Sequence, residues 1–177
     1  MLKHLFLSLL LISICFPSGM VMDSSVDASG TMVIGIKAEL PISPMSEANL
    51  TIDGPVDSVV IKDRSGLEID SIISMQGNST VISAIVPYDY LEYIVVSDSL
   101  TGKQGSIWDI DLLIGFSQPL SNFSGTLHLP KGAMVRSSNG GVAAEGDSIA
   151  VAWKASNISE SKKMHLKAGY ELSAESR

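Results

Sequence analysis

From about residue 30 the chain alternates apolar and polar side chains with a period of two, and it shows almost none of the 3.6-residue periodicity of a helix. Period two sends successive side chains to opposite faces of a strand, so a chain of this kind folds into sheets with one face buried. The cleanest stretch is WDIDLLIGF, where Trp108, Ile110, Leu112, Ile114 and Phe116 point one way and Asp109, Asp111 and Gly115 the other. In LEIDSIISM, Leu67, Ile69, Ile73 and Met75 share a face with Ser71, opposite Glu68, Asp70 and Ser74. Seven further strands are expected in TMVIGIKAEL, VDSVVIK, TVISAIV, YLEYIVVS, GTLHL, SIAVAW and KMHLKAGYEL, about nine in all.

Turn signals separate most of these. DRSG (63–66), QGN (76–78), NGG (139–141) and EGD (145–147) are short enough to join hairpins, because Gly, Asn and Asp accept the left-handed backbone such turns need. Many strands, short links and no intervening helices exclude a parallel crossover sheet. The expected fold is all-β, an immunoglobulin-like antiparallel β-sandwich of about nine strands after an N-terminal signal segment. The longest irregular pieces, SDSLTGKQGS (97–106) and PISPMSEA (41–48), are where such a sandwich would carry binding.

With 177 residues the chain is about one domain long. MLKHLFLSLLLISICFPSG opens with Lys3 and His4, runs apolar from Leu5 to Phe16 and breaks at Pro17, Ser18 and Gly19. That is the order of an export signal, and the run is too short for a comfortable membrane span. The expected organisation is a signal peptide or uncleaved N-terminal anchor over 1–22 and a single β-sandwich domain over 23–177. A second stretch suited to cleavage, VDA, ends at Ala28. Cys15 is the only cysteine and falls in the leader, which leaves the domain no internal disulfide and no cysteine-based zinc site. Ile14 stands where a lipidated Cys15 would need a small residue.

Charge narrows the partners. Twelve basic residues face 19 acidic ones for a net charge of −7, and loss of Lys3 with the leader makes it 11 − 19 = −8. Nucleic acid and anionic membrane surfaces need a basic footprint, so neither is an expected partner. Membrane contact is expected only through the N-terminal segment, if it is retained.

The strongest chemical signal is N-glycosylation. Sequons stand at Asn49 (NLT), Asn78 (NST), Asn122 (NFS) and Asn157 (NIS), four of the five asparagines, Asn139 alone being left out. Ser and Thr make up 33 of 177 residues, so a given asparagine is a sequon by accident about once in five, and four of five is more than chance supplies. Each site is expected near a turn or strand end.

Other constellations are weaker. Asp109 with Asp111, and Glu68 with Asp70, are spaced to share a strand face; such pairs could begin a calcium site or act as acid and base, but they also suit the solvated faces of half-buried strands. His128 and His165 alternate against leucine and methionine and are expected to face outward. Trp108 and Trp153 lie on apolar faces and are read as core. Tyr88, Tyr90 and Tyr93 in PYDYLEY straddle a turn and a strand start, where one ring could meet a carbohydrate or protein. There is no GxSxG, HExxH, phosphate-cradling glycine loop or dinucleotide fingerprint. No catalytic, metal or cofactor residues are expected.

The order Ile114, Phe116, Pro119, Phe123, followed by LHLPKGAMV, a turn-rich piece, SIAVAW and a final KAGYEL, resembles the extracytoplasmic β-sandwich domains of a group of uncharacterised archaeal membrane proteins. Many of those continue into a transmembrane helix, and some into a cytoplasmic winged helix-turn-helix; here only SAESR follows Leu172. The resemblance runs from about Tyr90 to Leu172 and implies a sensory or structural ectodomain. Within it, Pro119 and the Asn122 sequon are expected to form an exposed, unpaired connection. The functional expectation is a non-catalytic, exported, glycosylated domain, secreted or attached to the cell surface, acting through protein or glycan contacts. The alternatives are a hydrolase or carbohydrate-acting enzyme on the same sandwich, or a calcium-stabilised adhesion module.

Overall fold

The structure, a computed structural model, describes residues 18–40, 45–146, 148–160 and 162–173. The leader through residue 17, with Cys15, and half of PISPMSEA lie outside the described residues. The described residues contain no helix. Fourteen strands follow one another: β1 Gly19–Val26, β2 Met32–Glu39, β3 Ser46–Asp53, β4 Ser58–Lys62, β5 Ser71–Gln76, β6 Ser79–Val86, β7 Tyr90–Ser97, β8 Thr101–Gln104, β9 Ile107–Phe116, β10 Leu120–His128, β11 Ala133–Ser138, β12 Gly141–Glu145, β13 Ser148–Ile158 and β14 Met164–Leu172.

They form two seven-stranded sheets. Sheet A has the order β12-β13-β10-β1-β2-β7-β4; sheet B has β11-β14-β9-β3-β6-β5, with β8 also paired to β9. One core cluster lies between them, built from Met20, Ile34, Ile36 and Val95 on one side and Leu50, Ile52, Ile82, Ile110 and Ile114 on the other. Across it Tyr93 of β7 meets Phe116 of β9 edge to face, with ring centroids 5.9 Å apart. Most pairs are antiparallel, but β1 runs parallel to β10, from Gly19 opposite Asn122 to Ser25 opposite His128.

The count exceeds the expected nine because five strands carry weak apolar patterns. β3 (SEANLTID) turns Ala48, Leu50 and Ile52 inward but carries Glu47, Asn49, Thr51 and Asp53 outward, and so reads as polar. β8 (TGKQ) and β12 (GVAAE) are short, β11 (AMVRSS) is mostly small and polar, and β1 overlaps the end of the leader. β1 begins four residues before the expected domain boundary, and Met20 and Met22 are fully buried.

Short turns did not all make hairpins. QGN and EGD do, joining β5 to β6 and β12 to β13, and Gly77 takes φ +62° at the first central position of its two-residue loop. NGG instead carries the chain from β11 in sheet B to β12 in sheet A. DRSG turns the chain back on β4, where Glu68 bridges Lys62 and the Ile69 amide donates to the Ile61 carbonyl. The chain then crosses to sheet B, so LEIDSIISM is not one half-buried strand but a crossover followed by the edge strand β5. A polar turn lets the chain reverse without dictating the sheet it joins next. Of thirteen links only four stay within a sheet, β1–β2, β5–β6, β8–β9 and β12–β13, and the other nine change sheet.

Two of the turns are built alike. In Asp27-Ala28-Ser29-Gly30-Thr31 and Asp63-Arg64-Ser65-Gly66-Leu67 the first carboxylate accepts from the serine amide, the serine hydroxyl and the amide four residues on. These bonds favour the ionised form and hold both aspartates below the ordinary carboxylate range, the serine hydroxyl contributing most. At Gly30 the backbone takes φ +93°, and a Cβ there would come within 2.3 Å of the Trp108 ring. Only glycine fits.

Candidate functional site

The outer face of sheet B carries the densest polar arrangement. Asp111 of β9 stands opposite Lys167 of β14, and His165 is two residues along the same strand. The Asp111 carboxylate meets Lys167 Nζ at 2.8 Å and is hydrogen-bonded to His165 Nε2. Lys167 first and His165 second hold it below the ordinary carboxylate range. All three are about half exposed, and the third member is a lysine, not the hydroxyl or thiol that a nucleophile–base–orienter triad would place there. Asp109 lies on the same strand face, opposite Gly169, outside this cluster.

The second acid pair is not a pair in space. Glu68 sits beside β4 at the edge of sheet A, whereas Asp70 leads into β5 of sheet B. Among the described residues no group of three or more His, Cys, Asp and Glu is placed to hold a metal ion. His128 faces outward as expected, with Nε2 2.9 Å from Asp23 and Nδ1 3.1 Å from Glu145. It ties β1, β10 and β12 across the surface of sheet A.

Asn139, the one asparagine outside a sequon, is structural. Its Oδ1 accepts from Trp153 Nε1 at 2.7 Å and from the Lys167 amide at 2.8 Å, and its Nδ2 donates to the His165 carbonyl at 2.8 Å. One side chain thus joins β13 of sheet A to β14 of sheet B where the chain passes between them. Trp153 is buried, as read from its pattern. Trp108 is half-buried, stacked on Tyr170 with centroids 6.4 Å apart and capped by Lys103 at 4.5 Å. Burial pushes the Tyr170 phenol up to about 12 and raises Tyr93 as well, and neither buried hydroxyl has a hydrogen-bond partner. Tyr90 lies under the Arg64 guanidinium at 5.0 Å, and Tyr88 is exposed.

A concavity of about 380 Å³ opens on the outer face of sheet B where β3, β6 and β9 meet. Its depth comes from Gly115, which stands opposite Thr51 and has no side chain, with Lys163 passing over it. Asn49, Thr51, Gln76, Ser79 and Ser117 bring amide and hydroxyl groups to its wall. Asn49 Oδ1 is enclosed there without a donor. Lys163 is bonded to Asp53, which also accepts from Ser79, and these contacts, Lys163 foremost, lower the Asp53 pKa. The groove has hydrogen-bonding groups suited to hydroxyl-rich ligands. Sequence reasoning missed it because its residues come from four separate stretches, and its central feature is a glycine inside a strand.

The sequon asparagines differ in setting. Asn78 is exposed at the β5–β6 hairpin tip, and Asn157 is exposed near the end of β13 with φ +53°, a conformation asparagine tolerates better than most residues. Asn122 is exposed too, but it lies within β10, paired to Gly19 and Ser156, so that segment is not the unpaired connection expected. Asn49 is half-buried in the middle of β3, away from any strand end.

No protein-family model matches the chain, and no curated protein resembles it significantly. Solved structures align with the chain at low identity and low TM-score. The M1 zinc metallopeptidase from Deinococcus radiodurans aligns over 88% of this chain and 41% of its own length, with TM-score 0.42 and 6% identity. The non-cellulosomal cohesin from the hyperthermophilic archaeon Archaeoglobus fulgidus aligns over 57% of this chain and 78% of its own, with TM-score 0.37 and 14% identity. The folded domain of Mycobacterium tuberculosis LppM aligns over 93% and 98%, with TM-score 0.37 and 12% identity. The chain spans about two-fifths of the peptidase it matches.

Proposed function

We propose that the chain is a non-catalytic exported domain, N-glycosylated and held at the cell surface or released, an immunoglobulin-like β-sandwich that works through protein or glycan contacts. The exposure of Asn78, Asn122 and Asn157 carries this reading: a glycan acceptor must be reachable, and these three are. The archaeal ectodomain group that the chain resembles fits the same reading. The groove beside Gly115 is where the hydroxyls of a glycan ligand would find partners.

Intact-mass and glycopeptide measurement on native protein, after separating membrane from medium, tests this. The expected result is a mass short of the leader with glycans at Asn78, Asn122 and Asn157 and lower occupancy at half-buried Asn49. Four unmodified asparagines would overturn it. The Asp111–His165 contact gives a hydrolase its one specific support. That reading requires turnover of an ester or glycoside that falls about a hundredfold or more in Asp111→Asn, on the order of what a positioned acid–base group supplies.

A further inference from the structure

Sheets present unpaired main-chain groups at their edges, and proteins guard those edges with charge, proline, bulges or cover. Four edges here follow that rule. β4 carries Lys62 and is partly covered by the bridge to Glu68, β8 carries Lys103, β11 carries Arg136 and a register shift between Val135 and Ser137, and β12 carries Glu145. β5 does not. It ends sheet B with the sequence SIISMQ, and from Ser71 through Tyr88 eighteen consecutive residues bear no charge.

The orientation of its free groups follows from the hairpin. Gln76 and Ser79 flank a two-residue loop and so exchange both main-chain bonds; with strict alternation, Ser74 and Ile72 also bond to β6. The amides and carbonyls of Ser71, Ile73 and Met75 therefore point away from β6, along the open edge. Side chains on both faces are uncovered: Ile72 is 73% exposed on the outer face, and Ile73 and Met75 are 49% and 56% exposed on the face turned toward the core. Sheet A does not reach far enough to cover them.

We propose that β5 is a self-association edge, where two copies of this chain pair antiparallel about a two-fold axis through Ile73. In that register Ile73 meets Ile73, Met75 meets Ser71 and Ile72 meets Ser74, each on its proper face. The three outward-facing positions supply about six intermolecular main-chain hydrogen bonds. Two copies of sheet B become one continuous sheet. A second copy is the occupant because its edge matches this one in length and, turned about Ile73, returns like face to like face; charge fixes the place, since molecules of net charge −7 repel one another over most of their surface and this uncharged hairpin is where two of them can approach. A six-residue strand pair lies at the small end of specific interfaces, so the dimer is weak, with a dissociation constant on the order of 10 to 100 μM. The proposal stands independently of export and glycosylation.

Sedimentation of the native protein over about 1 to 500 μM tests it, a range that brackets such a constant. The expected result is a monomer passing to a dimer, with the dimer favoured by added salt because salt screens the repulsion between acidic copies. Ile73→Lys is expected to remain monomeric, and Ile73→Pro, which removes an outward amide that its own hairpin does not use, to weaken dimerisation at least tenfold. Should either variant lose its fold by circular dichroism, hydrogen exchange on the unaltered protein decides. Ile73 and Met75 amides are expected to gain protection with concentration while Ile72 and Ser74 amides stay unchanged. A monomer throughout the range, a dimer that survives both substitutions, or exchange at Ile73 independent of concentration would overturn the proposal.

Discussion

Asn139 has three hydrogen bonds in a place where no strand ladder can reach, and its loss leaves the Trp153 indole N–H and the Lys167 amide without a partner. Asn139→Ala is therefore expected to cost roughly 1 to 2 kcal/mol, read as a lower urea midpoint, most of it from the part-buried Trp153 indole N–H, since an orphaned buried donor costs about 1 to 3 kcal/mol and the exposed Lys167 amide can turn to water. Gly30→Ala is expected to destabilise by about 2 kcal/mol or more, because it combines a left-handed backbone with a Cβ that the Trp108 ring already displaces. The aspartates supply a pH dependence. Asp27, Asp53, Asp63 and Asp111 all have folded-state values below the ordinary 3.8, so the folded chain holds fewer protons there than the unfolded chain. Their contribution is fully present above that value and is lost as pH falls below it through the lower folded-state values. The thermal midpoint is expected to be level above about pH 5 and to drop below about pH 4, less steeply in Asp27→Asn with Asp63→Asn, which keep a turn acceptor but no longer titrate. The sequence displayed the sequons and the outward histidines plainly. It hid Asn139, because a side chain that joins two sheets leaves no local pattern.

Strands were legible where large apolar residues recur at every second position, as in β2, β7 and β9, whose alternation survives in the burial of their side chains, in β9 as far as Ile114. β3 escaped because its outward Glu47, Asn49, Thr51 and Asp53 mask a buried row of Ala48, Leu50 and Ile52, and β1 because it overlaps the leader and buries Ser24, whose hydroxyl is satisfied by the Thr126 carbonyl at 2.9 Å. β5 misled in the opposite sense. Its isoleucines promised a buried face, yet it stands at an edge where the opposite sheet ends. For the isolated molecule at low concentration, amide exchange is expected to alternate along β5, fast at Ser71, Ile73 and Met75 and slow at Ile72, Ser74 and Gln76. Uniform protection would mean that the hairpin is registered differently.

In the whole molecule β1 is the seam of sheet A, with β2 on one side and β10 on the other. A chain beginning at Ser18 is expected to fold cooperatively, and one beginning at Ser29, as cleavage after VDA would leave it, to lose the near-ultraviolet dichroism of a packed core, because Met20, Met22 and Val26 go with the strand. That the chain makes two sheets could be read from period two; which links cross between them could not, since nine of thirteen do so through the same kinds of residue that close hairpins. The parallel seam also sets an order in time. Ser18 and Ser121, bonded to each other at the start of β1 and β10, are 103 residues apart, so a ribosome must finish most of the chain before the first strand meets its second neighbour. Until then sheet A stays open, and its completion waits on a contact of long sequence separation.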